Sequence, residues 1–240
     1  MKTPGKKASE MSVRELASYI DQSVLKPEFT QDEIRRYVRE GVEFGCATVC
    51  VHPASLDVAA ALTKGSDTRI CVVCDFPFGL STTSSKVLQA EEYCKRGDVF
   101  ELDVVANYGW IRSGLYREVE DEIHAVVDAC HGYGTAVKVI LETDALSYDQ
   151  VVRGTDVIIV AGADFVKTST GFYTGGPSVG ATPQLVQIMM DAARGRARVK
   201  GSGCIRTREH FLQLIDMGID RMGIGYRSTP VVLGVEAPAV

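Results

Sequence analysis

Short apolar runs alternate with longer amphipathic segments along almost the whole chain, and this alternation is what most constrains the fold. Eight runs of four to six residues have the composition of buried β-strands, at 19–23, 48–51, 69–74, 100–105, 136–141, 165–168, 198–202 and 221–224. Helical patterns lie between most of them, at 31–44, 85–95, 115–133, 148–161, 183–193 and 207–217. Eight such units in 240 residues predict an α/β protein with a single-domain (β/α)₈ barrel, also called a TIM barrel, and an open doubly wound sheet is the alternative.

The alternation runs from residue 12 to residue 233 without a linker or a low-complexity segment, which predicts one barrel domain. Residues 1–11 begin with a basic stretch that no apolar run follows, so we expect a flexible N-terminal tail and no signal peptide. Residues 234–240 are expected to form a C-terminal tail.

Composition excludes several classes of function. With 26 Lys and Arg against 31 Asp and Glu, the net charge of −5 provides no general basic field for nucleic acid. No apolar run approaches the roughly 18 residues of a membrane span. Seven cysteines, an odd number without an export signal, indicate reduced thiols and a cytoplasmic location. The four histidines lack metal-ligand spacing, so no metal is predicted.

Charged residues interrupt the apolar strands, and these residues are the strongest functional signal in the chain. They are Asp21, Glu101, Asp103, Lys138, Lys167 and Lys200. An isolated buried charge costs several kcal/mol, so these groups need one another or a water-filled cavity. For Lys138 and Glu101 we favour a structural ion pair. For the other two lysines and Asp103 we favour chemistry, because they lie near the C-terminal ends of their strands, where barrel active sites form.

Two lysines that face each other in a partly buried site disfavour the ammonium form of one of them. A neutral amine is a nucleophile, and its obvious target is a carbonyl carbon, which gives a carbinolamine and then a Schiff base. A nearby carboxylate such as Asp103 can relay protons during the addition and the dehydration.

Glycine-rich segments follow the last three strand-like runs, at 168–176, 201–207 and 223–228. Glycines let backbone N–H groups approach an anion closely, and loops after the seventh and eighth strands of a barrel often hold phosphate. The segments therefore predict a phosphate site, with tight turns as the alternative reading. None of them matches a nucleotide-binding fingerprint in its proper context.

The segment GADFVKTSTGF at 162–172 resembles the Schiff-base segment of deoxyribose-phosphate aldolase, and the resemblance extends over roughly 12–233. The further motifs that carry it are Asp21 with Leu25-Lys26-Pro27, Cys50-Val51-His52-Pro53, Phe76-Pro77-Phe78-Gly79, Glu101-Leu102-Asp103, Lys138-Val139-Ile140-Leu141-Glu142-Thr143 and Val199-Lys200 with Arg206. The resemblance implies a class I aldolase, a lyase that reversibly joins acetaldehyde and glyceraldehyde 3-phosphate without metal or cofactor. It also implies a homodimer whose partners are a small aldehyde and a sugar phosphate.

The resemblance also implies roles for individual residues. Lys167 would be the Schiff-base lysine, Lys200 would favour its neutral form, and Asp103 would exchange protons through water. Substrate-binding positions would be Asp21, Cys50 (without a chemical step), Thr170, Gly171, Ser202, Gly203, Cys204, Gly223 and Gly225.

Two phosphate-loop segments depart from the family pattern. The usual Ser-Gly-Gly is Ser202-Gly203-Cys204 here, and the usual Gly-x-Ser-Ser is Gly223-Ile224-Gly225-Tyr226. In the first strand, the usual Asp-His-Thr is Asp21-Gln22-Ser23. Tyr226 could close the anion pocket, or Arg227 could replace the lost hydroxyls with a charge. Three readings stay open: the family reaction, a related aldolase for a different or neutral aldehyde, and a catalytically silent phosphate-binding barrel.

Overall fold

The computed structural model describes residues 5–238, and its centre is a closed barrel of eight parallel strands in chain order. The strands are β1 Ile20–Val24, β2 Thr48–Val51, β3 Arg69–Cys74, β4 Val99–Val105, β5 Ala136–Ile140, β6 Phe165–Lys167, β7 Arg198–Ser202 and β8 Arg221–Gly225. Pairing of β8 with β1, which sets Asp21 beside Gly223, closes the sheet. The predicted (β/α)₈ barrel is confirmed, and the open sheet is excluded.

Helices surround the barrel and cover its outer face. They are α1 Val13–Ala17, α2 Gln31–Phe44, α3 Leu56–Thr63, α4 Thr83–Cys94, α5 Tyr108–Ser113, α6 Tyr116–His131, α7 Tyr148–Val160, α8 Pro183–Ala193, α9 Arg208–Asp216 and α10 Thr229–Leu233. Short 3₁₀ helices occur at Ala8–Glu10, Pro53–Ser55 and Thr143–Ala145. The six longest α-helices coincide with the predicted segments to within two residues at each end. The shorter α1, α3, α5 and α10 were not predicted, because helices of eight residues or fewer show little periodicity.

Side-chain caps explain where several helices begin. Thr30 and Ser147 each accept the backbone N–H of the third helical residue, and that residue's side chain returns to the cap N–H. This reciprocal arrangement satisfies two N–H groups that have no partner inside the helix. At the other end of α2, Gly45 adopts a φ of 75°, a left-handed conformation that glycine takes at little cost.

The strands are buried on both faces, and the two faces contain different chemistry. Outward side chains such as Val49, Leu102 and Val166 pack with the helices in one large apolar core. Inward side chains form a small apolar cluster around Cys50 and Cys71, together with the charged residues. Because side chains alternate along a strand, the sheet carries charge on its inner face without disrupting the outer core.

The ends of the chain pack more closely than the sequence predicts. Inside the expected tail of residues 1–11, Ala8 is buried, and its N–H donates to Asp216 Oδ1 at 2.7 Å. A buried backbone group needs such a partner, so this contact attaches residues 8–10 to the barrel. Val235, within the expected tail 234–240, also packs against the core. Residues 1–4, 239 and 240 lie outside the described part of the chain. Among residues 5–238, no helix is both long enough and apolar enough to cross a bilayer.

Candidate active site

Three lysines converge on one carboxylate inside the barrel. The Nζ atoms of Lys167 and Lys200 lie 2.6 and 2.7 Å from the same oxygen of Asp103, Oδ2. Lys138 Nζ lies 2.9 Å from the other oxygen, Oδ1. The strand register produces this convergence, because it sets Lys167 beside Lys200 and Asp103 beside Lys138 on neighbouring strands. The three residues for which the sequence predicts chemistry therefore meet at one point.

A second layer of charge lies below this point, towards the N-terminal ends of the strands. Asp21 Oδ2 lies 2.5 Å from Lys200 Nζ, and its Oδ1 lies 2.6 Å from Arg221 Nη1. Arg221 also reaches Glu101 at 3.2 Å, and Glu101 contacts Lys138. The predicted structural pair of Glu101 and Lys138 is thus present. Arg221 is the member that the sequence analysis missed, because an arginine at the first position of a strand usually lies at the surface.

The cluster contains one more cation than anions. Lys138, Lys167, Lys200 and Arg221 face the three carboxylates of Asp21, Glu101 and Asp103. If all seven groups are ionised, the buried cluster carries a charge of +1, and loss of one proton makes it neutral. Since burial penalises net charge, the cluster as a whole favours the release of one proton.

The pKa shifts indicate which groups remain charged. Burial alone would raise the pKa of Asp103, but the three surrounding lysines outweigh it and hold the pKa well below its usual range. Burial would lower the pKa of Lys200, but Asp103 and Asp21 outweigh it and raise the pKa above its ordinary value. The pKa of Lys138 is raised in the same way against its burial. Lys200 is therefore held as an ammonium.

A cavity of about 230 Å³ opens at the C-terminal ends of the strands, directly above the cluster. Most of the predicted site residues line it: Lys167, Thr170, Gly171, Ser202, Gly203, Cys204, Gly223 and Gly225. Four do not line it: Asp21, Cys50, Asp103 and Lys200 are fully buried beneath the cavity floor. Asp21 was expected to help place the substrate, but in this structure its carboxylate is engaged by Lys200 and Arg221. Lys167 is the one lysine of the cluster whose side chain reaches the cavity.

Thr170 is held in place by a buried carboxylate that the sequence analysis quoted only as part of a motif. The Thr170 hydroxyl donates to Glu142, whose own backbone is in the left-handed region with a φ of 52°. The Thr170 hydroxyl in turn accepts the N–H of Phe172 at 2.9 Å. Burial raises the pKa of Glu142, although its bonds from Thr170 oppose that rise. Glu142 thus fixes the start of the loop that follows β6.

Two thiols adjoin Asp103, and the three groups together are of the types that bind metal ions. The ligand atoms of Cys50, Cys71 and Asp103 lie within 4.8 Å of one another. However, Asp103 already accepts from Lys138 and Lys167, and Cys71 donates to its Oδ1 at 3.1 Å. Burial keeps the pKa of Cys71 well above its ordinary value, so this thiol stays protonated. A divalent cation would add to a cluster that is already positive, so the donor set does not fit a metal.

The glycine loops shape the upper wall of the cavity. Gly171 and Gly203 adopt φ values of 82° and 87°, which side-chain-bearing residues rarely adopt. Cys204 takes a φ of 58° at a position where the family pattern has glycine, and its thiol donates to the carbonyl of Ser178. At Gly225 a side chain would meet nothing within 4 Å, so the missing serine leaves open space.

Tyr226 and Arg227 do not behave as either sequence-based suggestion proposed. Tyr226 packs against Tyr37 in a tilted arrangement and edge-on against Phe29, with ring centroids 4.0 and 5.0 Å away, and it forms part of the cavity wall without closing the cavity. Arg227 lies over the Tyr226 ring, 5.3 Å from its centroid, and is not part of the cavity wall. The cations that line the cavity mouth are instead Lys26 and Arg206.

Comparisons with known proteins agree with this geometry. The chain is 38% identical over 221 residues to a deoxyribose-phosphate aldolase of Staphylococcus saprophyticus, which covers 92% of this chain and 97% of the relative. It is 42% identical over 209 residues to a deoxyribose-phosphate aldolase of Thermoanaerobacter pseudethanolicus, with coverages of 87% and 92%.

Among solved structures, an aldolase named QR15 superposes with a TM-score of 0.83 at 35% identity, covering 91% of this chain and 94% of that one. A deoxyribose-phosphate aldolase of Aeropyrum pernix, described as a unique tetramer, gives a TM-score of 0.82 at 31% identity, with coverages of 93% and 91%. The family model described as DeoC/LacD family aldolase matches residues 16–228. With a matching fold, a matching family model and a lysine at the floor of the cavity, this chain belongs to the DeoC/LacD family of aldolases.

Proposed function

We propose that this protein is a class I aldolase that reversibly cleaves 2-deoxyribose 5-phosphate to acetaldehyde and glyceraldehyde 3-phosphate. The observation that carries the proposal is the position of Lys167, whose side chain lines the cavity while its amine contacts Asp103, the carboxylate that Lys200 also contacts. The named relatives act on this substrate, and they match the chain over most of its length.

The reaction starts at the amine of Lys167. Its neutral form adds to the aldehyde carbon C1 of the open-chain sugar, and the carbinolamine loses water to give a protonated imine. A base removes the proton of the C3 hydroxyl, and the C2–C3 bond breaks. Its electron pair moves towards the iminium nitrogen, which releases glyceraldehyde 3-phosphate and leaves an enamine. Protonation at C2 and hydrolysis of the imine then release acetaldehyde and restore the amine.

The other buried residues control the protons of this sequence. Asp103 contacts Lys167 directly and is the carboxylate nearest to the bond-forming atom, so we assign it the proton transfers. Lys200 remains an ammonium and favours the neutral form of its neighbour by charge repulsion. Asp21 and Arg221 act as positioning residues that hold Lys200 in place. Because the imine nitrogen accepts the electron pair, this chemistry requires neither metal nor cofactor.

The phosphate is assigned to the wall formed by the loops after β6 and β7 and by the C-terminal half of β8. Backbone N–H groups at Gly171, Gly203 and Gly223 can approach an anion there, and Arg206 adds positive charge. Ser202, Cys204 and Gly225 belong to the same wall.

Borohydride reduction in the presence of acetaldehyde tests the proposal. An imine at Lys167 would be reduced to a stable ethyl adduct, which peptide mass spectrometry locates on that residue. The variant Lys167→Leu should give no adduct and no turnover while retaining the folded circular dichroism spectrum. Absence of an adduct in the wild-type protein would leave only the silent phosphate-binding barrel.

A second candidate is a related aldolase that prefers a neutral aldehyde. Gly225 favours it, because the serine hydroxyl of the family pattern is missing and open space takes its place. Turnover of 2-deoxyribose compared with its 5-phosphate decides between the two. A strong preference for the phosphate excludes the second candidate.

The assembly and location of the protein are further proposals. We propose a homodimer, although the Aeropyrum pernix structure is described as tetrameric, so light scattering on the purified protein is needed. We also propose that the enzyme works in the cytoplasm, where its seven cysteines stay reduced, and that the catalytic domain spans 12–233. Cell fractionation tests the cytoplasmic location, and the activity of a chain trimmed to residues 12–233 tests the domain bounds.

A further inference from the structure

Lys26 projects from the loop after β1 to the cavity mouth and is not used by the chemistry described above. It lines the cavity together with Gly171, Phe172 and Arg206. Within residues 5–238, no carboxylate lies at ion-pair distance from either Lys26 or Arg206. Two cations beside one cavity without anionic partners leave a charge that a ligand can neutralise.

The ring of Phe172 restrains Lys26. The ammonium lies 5.2 Å from the centroid of that ring, within the range of a cation–π interaction. Phe172 is itself held in place. Its ring packs edge-on against Phe76, with 5.3 Å between the ring centroids, and its backbone N–H donates to the hydroxyl of Thr170. A lysine held in this way loses less side-chain entropy when it binds an anion than a freely rotating lysine would.

The loop after β8 explains why an additional cation matters in this chain. Gly225 and Tyr226 replace the two serines of the family pattern, and the Tyr226 ring is engaged by Tyr37. The two serine hydroxyls of the family pattern are therefore missing from this side, and the hydroxyl residues of the lining that remain near β1 and β8 are Ser23 and Ser228. Lys26 precedes α2, which carries Tyr37, and β1 pairs directly with β8, so Lys26 approaches the cavity from the side of the altered loop.

We infer that Lys26, stacked on Phe172, is a specificity-determining residue that recognises the phosphate end of the substrate in place of the missing serine hydroxyls. The inference rests on the proposed function and adds to it a residue and a mode of recognition. Affinity for the phosphorylated sugar then depends on side-chain charge, so it weakens as ionic strength rises. A site built from neutral hydroxyl and backbone donors would respond less to salt.

The test compares Lys26→Met with Lys64→Met, using both 2-deoxyribose 5-phosphate and 2-deoxyribose. Lys64 is also exposed but lies at the opposite end of the barrel, so its loss is the same charge change away from the cavity. We expect Lys26→Met to lower kcat/KM for the phosphorylated sugar about 10- to 100-fold, mainly through KM, because one charge-assisted contact is lost. For the neutral sugar, and for both sugars with Lys64→Met, the change should stay within about twofold.

Two further measurements sharpen the test. The KM of the wild-type enzyme for the phosphorylated sugar should rise with NaCl more steeply than that of Lys26→Met. Lys26→Arg should keep most of the affinity, and Phe172→Leu should lose part of it. An equal loss of kcat/KM on both sugars, or no loss on either, would overturn the role of Lys26 in phosphate recognition. If the proposed function itself is wrong, neither sugar is cleaved and acetaldehyde with borohydride leaves Lys167 unmodified. That result differs from one in which both sugars are cleaved and Lys26→Met leaves the ratio of their kcat/KM values unchanged.

Discussion

Replacement of Lys200 by leucine tests the electrostatic reasoning at the centre of the site. The amines of Lys200 and Lys167 share Asp103 Oδ2 at 2.7 and 2.6 Å, so they lie about 4 Å apart. At an effective dielectric constant of 20, two unit charges at this distance repel by about 4 kcal/mol. Since one pKa unit corresponds to about 1.36 kcal/mol, loss of Lys200 should change proton release in the site by about 2–3 pH units. In the variant, three cations face three carboxylates, and release of a proton no longer removes a net charge.

The assay is the pH dependence of kcat/KM for cleavage of 2-deoxyribose 5-phosphate. Imine formation needs a neutral amine, so the acidic limb of the profile for Lys200→Leu should move about 2–3 units to higher pH. Activity at pH 7 should fall roughly 100-fold or more for the same reason. Lys200→Arg keeps the charge and is the matched control, with an acidic limb close to that of the wild type. If the folded leucine variant has the wild-type acidic limb, the reasoning is refuted.

Three other predictions concern stability. Arg221→Met should lower the free energy of unfolding by about 3–5 kcal/mol, because it removes a partner of buried Asp21. The control is Arg198→Met, since Arg198 is half-exposed over the same Phe165 ring and its loss should cost less than about 1 kcal/mol. Equal losses of the two variants in urea unfolding would argue against the buried network. Thr170→Val should cost about 1–3 kcal/mol by leaving the Glu142 carboxylate without its hydroxyl donor, and Thr170→Ser should restore most of this in thermal unfolding. Burial alone would raise the pKa of Asp21, but Lys138, Lys200 and Arg221 outweigh burial and lower that pKa. The ionised Asp21 therefore stabilises the fold above the ordinary aspartate pKa of about 3.9, and this stabilisation is lost as the pH falls further. Unfolding free energies that stay constant from pH 5 to pH 2 would contradict this prediction.

The strands were predictable because their signal is local. β2 and β3 begin and end at the predicted residues, because a strand buried on both faces is a nearly uninterrupted apolar run. β7 also begins and ends as predicted, although it contains Arg198 and Lys200. The charged exceptions were equally visible, and a period of two places Glu101 and Asp103 on the same face. A buried charge is costly unless a charge of opposite sign lies beside it, which is why Asp103, Lys167 and Lys200 could be grouped from the sequence.

Contacts between distant parts of the chain were not predictable. Arg221 and Asp21 are 200 positions apart, and they meet only because β8 pairs with β1. The same closure buries Asp21 between Lys200 and Arg221, outside the residues that line the cavity, and its contact with the substrate stays a prediction. The stacking of Lys26 on Phe172 likewise joins the loop after β1 to the loop after β6.

The sequence by itself determined the barrel, the lysine at its centre and the carboxylate that faces it, because hydrophobic periodicity and the cost of buried charge act within a few residues. Tertiary structure alone decided how many charges the cluster contains and which of its members reach the cavity. It also decided which cations flank the cavity mouth. Those features depend on the register with which eight strands close, and a register is a property of the whole sheet that no single segment encodes.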